Sequence, residues 1–324
     1  MKIESPGFFD LQVNGFSGVD FNGPACQPDR LKHAINVLRA TGVTRFLPTL
    51  ITSSLERFAR CARALLDLSD PAIAGIHMEG PYISPQDGPR GAHSREYVTE
   101  ASLEDFKRRQ DAAEGRIVLV TLAPEIPGAL KVTEHLAESG IRVAIGHTAG
   151  SPQQIRDAVN AGATLSTHLG NGCAQLLPRH PNFVWEQLAA DELFASFIVD
   201  GHHLPPATVK SMVRAKSACR SILVTDSTAA AGCPPGSYTV GEAHIELSAD
   251  GRVSVPGAPN LAGSSLSMNT AISNAVRFAG LPLSEVLPMA TSLPACFLGM
   301  KPVGRLSADW DEVNCCLSVN AVFD

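Results

Sequence analysis

Three potential metal ligands stand at the ends of apolar segments that are short enough to be buried strands. Glu79 closes the segment that begins at Ile73, His147 follows 141–145 and His168 follows 163–167. Two imidazoles and one carboxylate suit zinc, with iron and manganese as alternatives, and they leave a coordination position open for water. Because these residues are far apart in the sequence, their shared position at strand ends, rather than their spacing, predicts a single divalent metal ion.

Two further residues could move a proton and polarise a carbonyl beside such a metal. Asp226 ends the apolar segment in LVTDS, and His203 follows another one in DGHHL. An aspartate in this position can take a proton from a metal-activated water and pass it to a leaving group. These residues therefore predict metal-assisted hydrolysis.

Each of these residues also has a structural interpretation. Glu79 could be a solvated carboxylate at a strand end, and Asp226 could cap a helix because Ser227 and Thr228 follow it. Single histidines are often satisfied structural residues, and either His202 or His203 could simply pack. The repeated placement of these types after apolar segments favours the functional interpretation.

Eight short apolar segments predict strands that alternate with amphipathic segments. The predicted strands are 6–13, 43–47, 73–79, 117–122, 141–145, 163–167, 194–199 and 221–225. The predicted helices are 29–40, 54–68, 102–111, 128–139, 151–161, 206–218, 264–279 and 283–298. This alternation predicts an α/β fold with a parallel (β/α)8 TIM barrel, in which strand ends converge on one mouth. An open doubly wound sheet is the alternative, but it would not bring eight strand ends together.

Two segments outside this alternation predict extra β-structure. Residues 238–255 alternate around Asp250-Gly251, which indicates a hairpin, and 313–322 predicts one more strand.

Composition excludes several functional classes for this chain of 324 residues. A net charge of -6 without a basic patch argues against nucleic acid as a partner. Because there is no apolar run of about 18 residues, we expect no membrane span. The N-terminal residues lack the order of a signal peptide, and the eight cysteines form no CxxC pair. We therefore expect a cytoplasmic protein whose cysteines are reduced and mostly buried.

The sequence resembles the N-acetylglucosamine-6-phosphate deacetylases of the amidohydrolase superfamily. The resemblance rests on PGFFDLQVNG, HMEGPY, GAH, TLAPE, GHT, THLGNG, DGHHL, LVTDSTAAAG and LAGSSLSM, which follow one another in the family's order. It implies a metal-dependent (β/α)8 barrel with a β side domain. It also implies removal of acetate from an N-acetyl amino-sugar phosphate, above all N-acetylglucosamine 6-phosphate, giving glucosamine 6-phosphate. Related enzymes are often homodimers.

The resemblance also assigns roles to individual residues. Glu79, His147 and His168 match the family's metal ligands, and Asp226 matches its catalytic base and acid. His203 matches the histidine that contacts the substrate acetamide. The sugar-contacting positions correspond to Ala92, His93, Asn171, Gly172, Leu261, Ala262 and Gly263, and Arg179 corresponds to the phosphate-contacting arginine.

The sequence departs from the family's pattern at three places. Gln12-Val13-Asn14 replaces the HxH that holds a second metal in many amidohydrolases, so we expect one metal ion. Only five residues precede PGFFD, so we expect a barrel over 6–310 with a hairpin insertion at 236–255. Residues 1–5 and 311–324 would then be remnants of a small β side domain. The loop at 170–187 also differs, which affects the choice of sugar.

Two other functions remain open on the sequence alone. One is a metal-dependent amidohydrolase that acts on a different acylated amine, which an anion site at Arg179 and His180 would argue against. The other is a catalytically silent sugar-phosphate binding protein, which the intact ligands and the intact Asp226 argue against.

Overall fold

Parallel strands form the centre of the structure, a computed structural model that describes residues 1–23, 27–258 and 260–323. The strands in chain order are β1 (Lys2–Pro6), β2 (Phe8–Val13), β3 (Gly15–Phe16), β4 (Val19–Asp20), β5 (Val43–Ile51), β6 (Ile76–Glu79), β7 (Ile117–Leu122), β8 (Arg142–Ile145), β9 (Leu165–Ser166), β10 (Phe194–Phe197), β11 (Ser221–Leu223), β12 (Gly236–Val240), β13 (Ala243–Leu247), β14 (Val253–Ser254), β15 (Arg305–Asp311) and β16 (Cys316–Phe323).

Eight of these strands make one parallel sheet in the order β11-β10-β9-β8-β7-β6-β5-β2. The sheet curls until its two edges meet, where the end of β2 runs beside the residues that follow β11. There the Asp226 amide donates to the Gln12 carbonyl at 2.9 Å, and the Asn14 amide donates to the Ser227 carbonyl at 2.8 Å. This near-closure confirms the predicted barrel, and each of the eight predicted strands overlaps an observed one.

Helices cover the outside of the barrel. They are α1 (Pro28–Ala40), α2 (Leu55–Leu66), α3 (Leu103–Ala112), α4 (Ala129–Glu138), α5 (Pro152–Asn160), α6 (Phe183–Ala189), α7 (Pro206–Lys216), α8 (Met268–Ala275), α9 (Leu283–Val286) and α10 (Ser292–Phe297). In α2 the buried residues Phe58, Cys61, Ala62 and Leu65 follow helical spacing, so one stripe faces the strands. None of the helices in the described part of the chain is long and apolar enough to cross a membrane.

The C-terminal helices differ from the sequence-based expectation. The predicted helix 264–279 begins only at Met268, because the Ser264 amide donates to the Asp226 carbonyl at 2.9 Å and so continues the strand-end structure. The predicted helix 283–298 is split into α9, a 3-10 turn at Leu287–Ala290 and α10. Pro288 lies at the start of that turn and has no N–H to continue an α-helix. Helix α6 was not predicted; Asn182 caps it by accepting from the Val184 and Trp185 amides.

Two three-stranded antiparallel sheets lie beside the barrel, and β3 pairs with β4 in a third, two-stranded one. Strand β15 pairs with both β1 and β16, and β13 pairs with both β12 and β14. The predicted hairpin around Asp250-Gly251 is present as β13 and β14, and β12 adds a third strand to it, so that the segment is a three-stranded meander. The predicted tail strand is present as β16, whereas β15 was not predicted.

The expectation that most cysteines are buried is wrong. Of the seven that the structure describes, all free thiols, Cys61 alone is buried, while Cys219, Cys296 and Cys316 are exposed. Cys26 lies outside the described residues.

Candidate metal centre

The three predicted ligands converge at the mouth of the barrel. The Glu79 Oε1 atom lies 3.2 Å from His147 Nε2 and 3.1 Å from His168 Nε2, and the two Nε2 atoms are 3.1 Å apart. All three residues are buried. No other group of three or more histidine, cysteine or acidic side chains this close occurs within the described ranges.

The backbone at these strand ends is unusual. His147 has φ +50°, His168 has φ +30° and Asp226 has φ +51°, all in the left-handed region that side chains other than glycine seldom occupy. Such strain costs roughly 1–3 kcal/mol per residue and concentrates at functional sites. The turn that each residue makes directs its side chain into the mouth.

Neighbouring groups fix the histidine rings. His147 Nδ1 donates to the Pro89 carbonyl at 2.9 Å, which leaves the Nε2 lone pair for a metal. His168 Nδ1 is buried without a hydrogen-bond partner in the described structure. Gly172, at φ +56°, packs directly on both rings: a Cβ there would lie 2.9 Å from His147 Nδ1 and 3.2 Å from His168 Cε1.

Side-chain amides from the end of β2 hold both carboxylates. Gln12 Nε2 donates to Glu79 Oε1 at 2.9 Å, and Asn14 Nδ2 donates to Asp226 Oδ1 at 2.6 Å. These residues stand where many amidohydrolases carry HxH. Their NH₂ groups, which cannot ligate a cation, point at the acids, and this supports the expectation of a single metal site.

The other two predicted histidines, His203 and His93, each have a side-chain partner at Nδ1. His203 Nδ1 lies 2.7 Å from Asp200 Oδ2, and His93 Nδ1 lies 2.8 Å from Thr52 Oγ1. The Asp200 carboxylate also accepts from the His203 backbone amide at 2.8 Å. In both rings, Nε2 therefore points away from the partner of Nδ1.

The electrostatics of the site separate its two carboxylates. Burial, and then the charge of Glu79, raise the pKa of Asp226 to about 7. Burial alone would raise the pKa of Glu79 too, but hydrogen bonds with His147 and His168 hold it well below its usual value. Burial also lowers the pKa of His93 to about 3. Lowering of the Glu79 pKa favours its ionised form, whereas the Asp226 carboxyl beside it can exchange protons near neutral pH.

A cavity of about 480 Å³ opens over these groups. Every predicted site residue except Arg179 lines it. These residues are Glu79, Ala92, His93, His147, His168, Asn171, Gly172, His203, Asp226, Leu261, Ala262 and Gly263. Arg179 is exposed and is not among the lining residues, although 170–175 and Leu177 of the same loop are. No lysine or arginine lines this cavity in the described part of the chain.

The donor set fits a divalent metal ion. Ligand atoms about 2.0–2.2 Å from a tetrahedral zinc lie about 3.3–3.6 Å from one another, close to the observed separations. The histidine nitrogens and the ionised carboxylate also form a buried group that a cation would neutralise. With Asp226 in the same cavity, the arrangement can activate water against an amide or ester.

Several supporting residues were missed in the sequence. Asp200 could have been found, because an aspartate three residues before His203 in DGHHL is within reach of its ring. Gln12 and Asn14 were identified only as poor ligands, not as donors to Glu79 and Asp226. Nothing in the sequence indicated the Pro89 carbonyl, which comes from a distant loop.

Comparison with known proteins gives consistent matches over nearly the whole chain. The model of the amidohydrolase family matches residues 3–311. An N-acetylgalactosamine-6-phosphate deacetylase of Escherichia coli O157:H7 is 35% identical over 93% of this chain and 80% of its own length. An N-acetylglucosamine-6-phosphate deacetylase of Lysinibacillus sphaericus is 32% identical over 96% of this chain and 80% of its own length.

Solved structures agree with these matches. A mutant N-acetyl-D-glucosamine-6-phosphate deacetylase of Mycobacterium smegmatis, in complex with N-acetyl-D-glucosamine-6-phosphate, superposes with a TM-score of 0.91 at 31% identity. The superposition covers 99% of this chain and 85% of that one. The Thermotoga maritima N-acetylglucosamine-6-phosphate deacetylase has a TM-score of 0.85 at 27% identity, covering 97% and 85% of the two chains.

Proposed function

The chain belongs to the amidohydrolase family, and we propose that it removes the acetyl group from an N-acetyl hexosamine 6-phosphate. The observation that carries the proposal is the buried Glu79, His147 and His168 cluster with Asp226 beside it in one cavity. The relatives named above act, by their names, on N-acetylglucosamine 6-phosphate or N-acetylgalactosamine 6-phosphate. The first gives glucosamine 6-phosphate and is the first substrate to test.

Asp226 is the proton carrier in this proposal. Glu79, His147 and His168 would hold a divalent metal ion, which supplies Lewis-acid polarisation of the acetyl carbonyl and acidifies a water molecule. Asp226 Oδ1 is occupied by Asn14, so Oδ2 takes the proton of the attacking water and delivers it to the amide nitrogen. The nitrogen must be protonated because an amine anion is a poor leaving group.

We assign binding of the acetyl oxygen to His203. Its Nδ1–H donates to Asp200 Oδ2, which fixes the orientation of the ring. A ring that also carries a hydrogen at Nε2 would donate it to the carbonyl oxygen and stabilise the negative charge that develops there.

Recognition of the 6-phosphate is assigned to Arg179. The support is its place in the loop that lines the cavity through 170–175 and Leu177, together with the family resemblance. A guanidinium can bind a phosphate with two parallel hydrogen bonds. Because Arg179 lies outside the cavity of its own chain, the loop must move or a second copy must supply the arginine.

Three further properties belong to the same proposal. Zinc is the expected ion, with iron and manganese as alternatives, because two imidazoles and a carboxylate suit it. A homodimer is proposed because Leu176 and Trp185, near Arg179, are 91% and 53% exposed. A cytoplasmic location follows from the metabolic chemistry proposed. Metal analysis, light scattering and cell fractionation test these properties.

An acetate-release screen tests the substrate. Metal-analysed protein is given N-acetylglucosamine and N-acetylgalactosamine, each with and without the 6-phosphate. Acetate release from the phosphorylated sugars, and little from the free ones, is expected. The two phosphorylated epimers decide which sugar is preferred, since a relative of each kind is similar to this chain. Absence of release from all four sugars by metal-loaded protein would overturn the proposal.

A further inference from the structure

Only one of the two polar atoms of the Asn14 side chain has a hydrogen-bond partner in the described structure. Its Nδ2 donates to Asp226 Oδ1 at 2.6 Å, whereas its Oδ1 is buried and has no hydrogen-bond partner in the structure described here. The residue is 3% exposed and lines the same cavity as Asp226. The ionised form of Asp226, which acts as the base, can only accept hydrogen bonds, and the Asn14 amide presents its NH₂ group to it. The unpartnered atom is therefore an acceptor.

A buried acceptor without a partner is costly, and native structures usually satisfy it with water or a ligand. An acceptor at this position lies on the same planar amide that holds the proton carrier. A donor bound beside Asp226 would therefore lie close to this acceptor, which is covered in the structure and must be uncovered for contact.

We propose that Asn14 Oδ1 accepts a hydrogen bond from the N–H of the substrate amide. This role deepens the proposed deacetylation and rests on it. An N–H held by Asn14 fixes the rotation of the scissile nitrogen, so that its lone pair can face Asp226 Oδ2 as the nitrogen becomes tetrahedral. Asn14 thus orients the acid through Nδ2 and the leaving group through Oδ1.

The atoms balance in this step. Water adds its oxygen to the acetyl carbon, and Asp226 Oδ2 takes one proton of that water. The same proton passes to the nitrogen lone pair while the carbon–nitrogen bond breaks. The second proton of the water stays on the acetyl product, which leaves as acetic acid and ionises to acetate. The amine retains the hydrogen that Asn14 Oδ1 accepted throughout.

The proposal also predicts a selectivity. An acetyl ester at the same sugar position has an oxygen in place of the N–H and gives Asn14 nothing to accept. A site built to bind an N–H discriminates against a ligand that lacks it, because the buried acceptor stays unpaired. Asn14 would therefore favour N-acetyl over O-acetyl substrates.

Binding to a variant that lacks the proton carrier separates the two roles of Asn14. In a metal-loaded Asp226→Ala background, Nδ2 has no carboxylate to hold, so only the acceptor role remains. Calorimetry would give the Kd of the N-acetyl hexosamine 6-phosphate and of its 2-O-acetyl ester analogue, with acetate assayed to exclude turnover. Adding Asn14→Ala should weaken binding of the N-acetyl ligand by about 5- to 100-fold, the scale of an unpaired buried donor. The ester's Kd should change by less than about twofold.

Two controls complete the test. Asn260→Ala removes an asparagine side chain from the same cavity lining and should affect both ligands alike. Asn14→Asp keeps an acceptor and should retain the preference for the N-acetyl ligand, which also covers the case in which Asn14→Ala fails to fold. Equal loss for both ligands, or no loss for either, would overturn the role of Asn14. If the wild-type protein releases no acetate from any sugar, the proposed function has failed instead.

Discussion

Replacement of Asp226 by asparagine isolates its proton chemistry from its structural contacts. Asparagine tolerates the left-handed backbone at φ +51°, and its Oδ1 can still accept from Asn14 Nδ2. The two hydrogen bonds of the residue's backbone, to Gln12 and from Ser264, do not involve the side chain. The variant should therefore fold and keep the shape of the site.

The expected loss follows from the role of a general acid and base. Such a group contributes about 10²- to 10⁴-fold, so kcat should fall by at least about 10²-fold, equivalent to about 3 kcal/mol in the barrier. Metal content should change little, because Glu79, His147 and His168 remain. The matched control is Asp309→Asn, an exposed residue of β15 that contacts Asn320 far from the cavity.

Steady-state acetate release and metal analysis on the same preparations decide the outcome. Near-normal turnover by the Asp226→Asn variant would show that another residue carries the proton, and His203 would be examined first. Loss of the metal would show instead that Asp226 is a ligand. Either result would refute the division of roles between ligands and base.

Four other outcomes are expected. Elemental analysis of the wild-type protein should give one equivalent of metal per chain, and two equivalents would contradict the single site. Glu79→Gln should lower the metal affinity at least about tenfold. Gly172→Ala should weaken metal binding in a chelator competition, because its Cβ would lie 2.9 Å from a ligand-histidine nitrogen. Gly140→Ala is the control. Gly140 has the same left-handed backbone, at φ +77°, but a Cβ there would meet open space, so this change should lower the melting temperature without affecting metal binding. Burial raises the pKa of Asp10 from 3.8 to about 7, so the folded state binds the proton more tightly. Stability in denaturant titrations should thus fall from about pH 4 to about pH 7 by up to about 4 kcal/mol, and Asp10→Asn should remove that part of the slope. Arg179→Ala should raise KM for the phosphorylated sugar far more than for the free sugar, and equal effects would sink its phosphate role.

The barrel was predictable because its strands are buried on both faces. Segments such as β7, which is almost wholly buried, have a continuous apolar sequence that stands out from the helical segments. The small sheet of β1, β15 and β16 gave a weaker signal in the sequence. In β15 the residues Leu306, Ala308 and Trp310 are buried and alternate with more accessible ones, but a seven-residue alternation is easily overlooked. Its pairing with β1 spans nearly the whole chain and leaves no local signal.

The convergence of Glu79, His147 and His168 was predictable, but the contacts that position them were only partly so. Parallel strands place their carboxyl ends at one edge, so residues such as His147 and His168 had to converge once the strands were recognised. The contacts of the loops depend on backbone conformations that no periodicity encodes. The Pro89 carbonyl that orients His147 and the exposed position of Arg179 are both of this kind.

The end of β2 links closure of the barrel to the chemistry of the site. The Gln12 carbonyl accepts from the Asp226 amide, which joins β2 to the residues after β11. The Gln12 side chain donates to Glu79. Two residues later, the Asn14 amide donates to the Ser227 carbonyl, while the Asn14 side chain holds Asp226. Each residue thus uses its backbone to close the barrel and its side chain to fix one carboxylate. Movement of Glu79 relative to Asp226 would therefore break side-chain hydrogen bonds that are anchored where the barrel closes, so the junction holds both carboxylates in one frame.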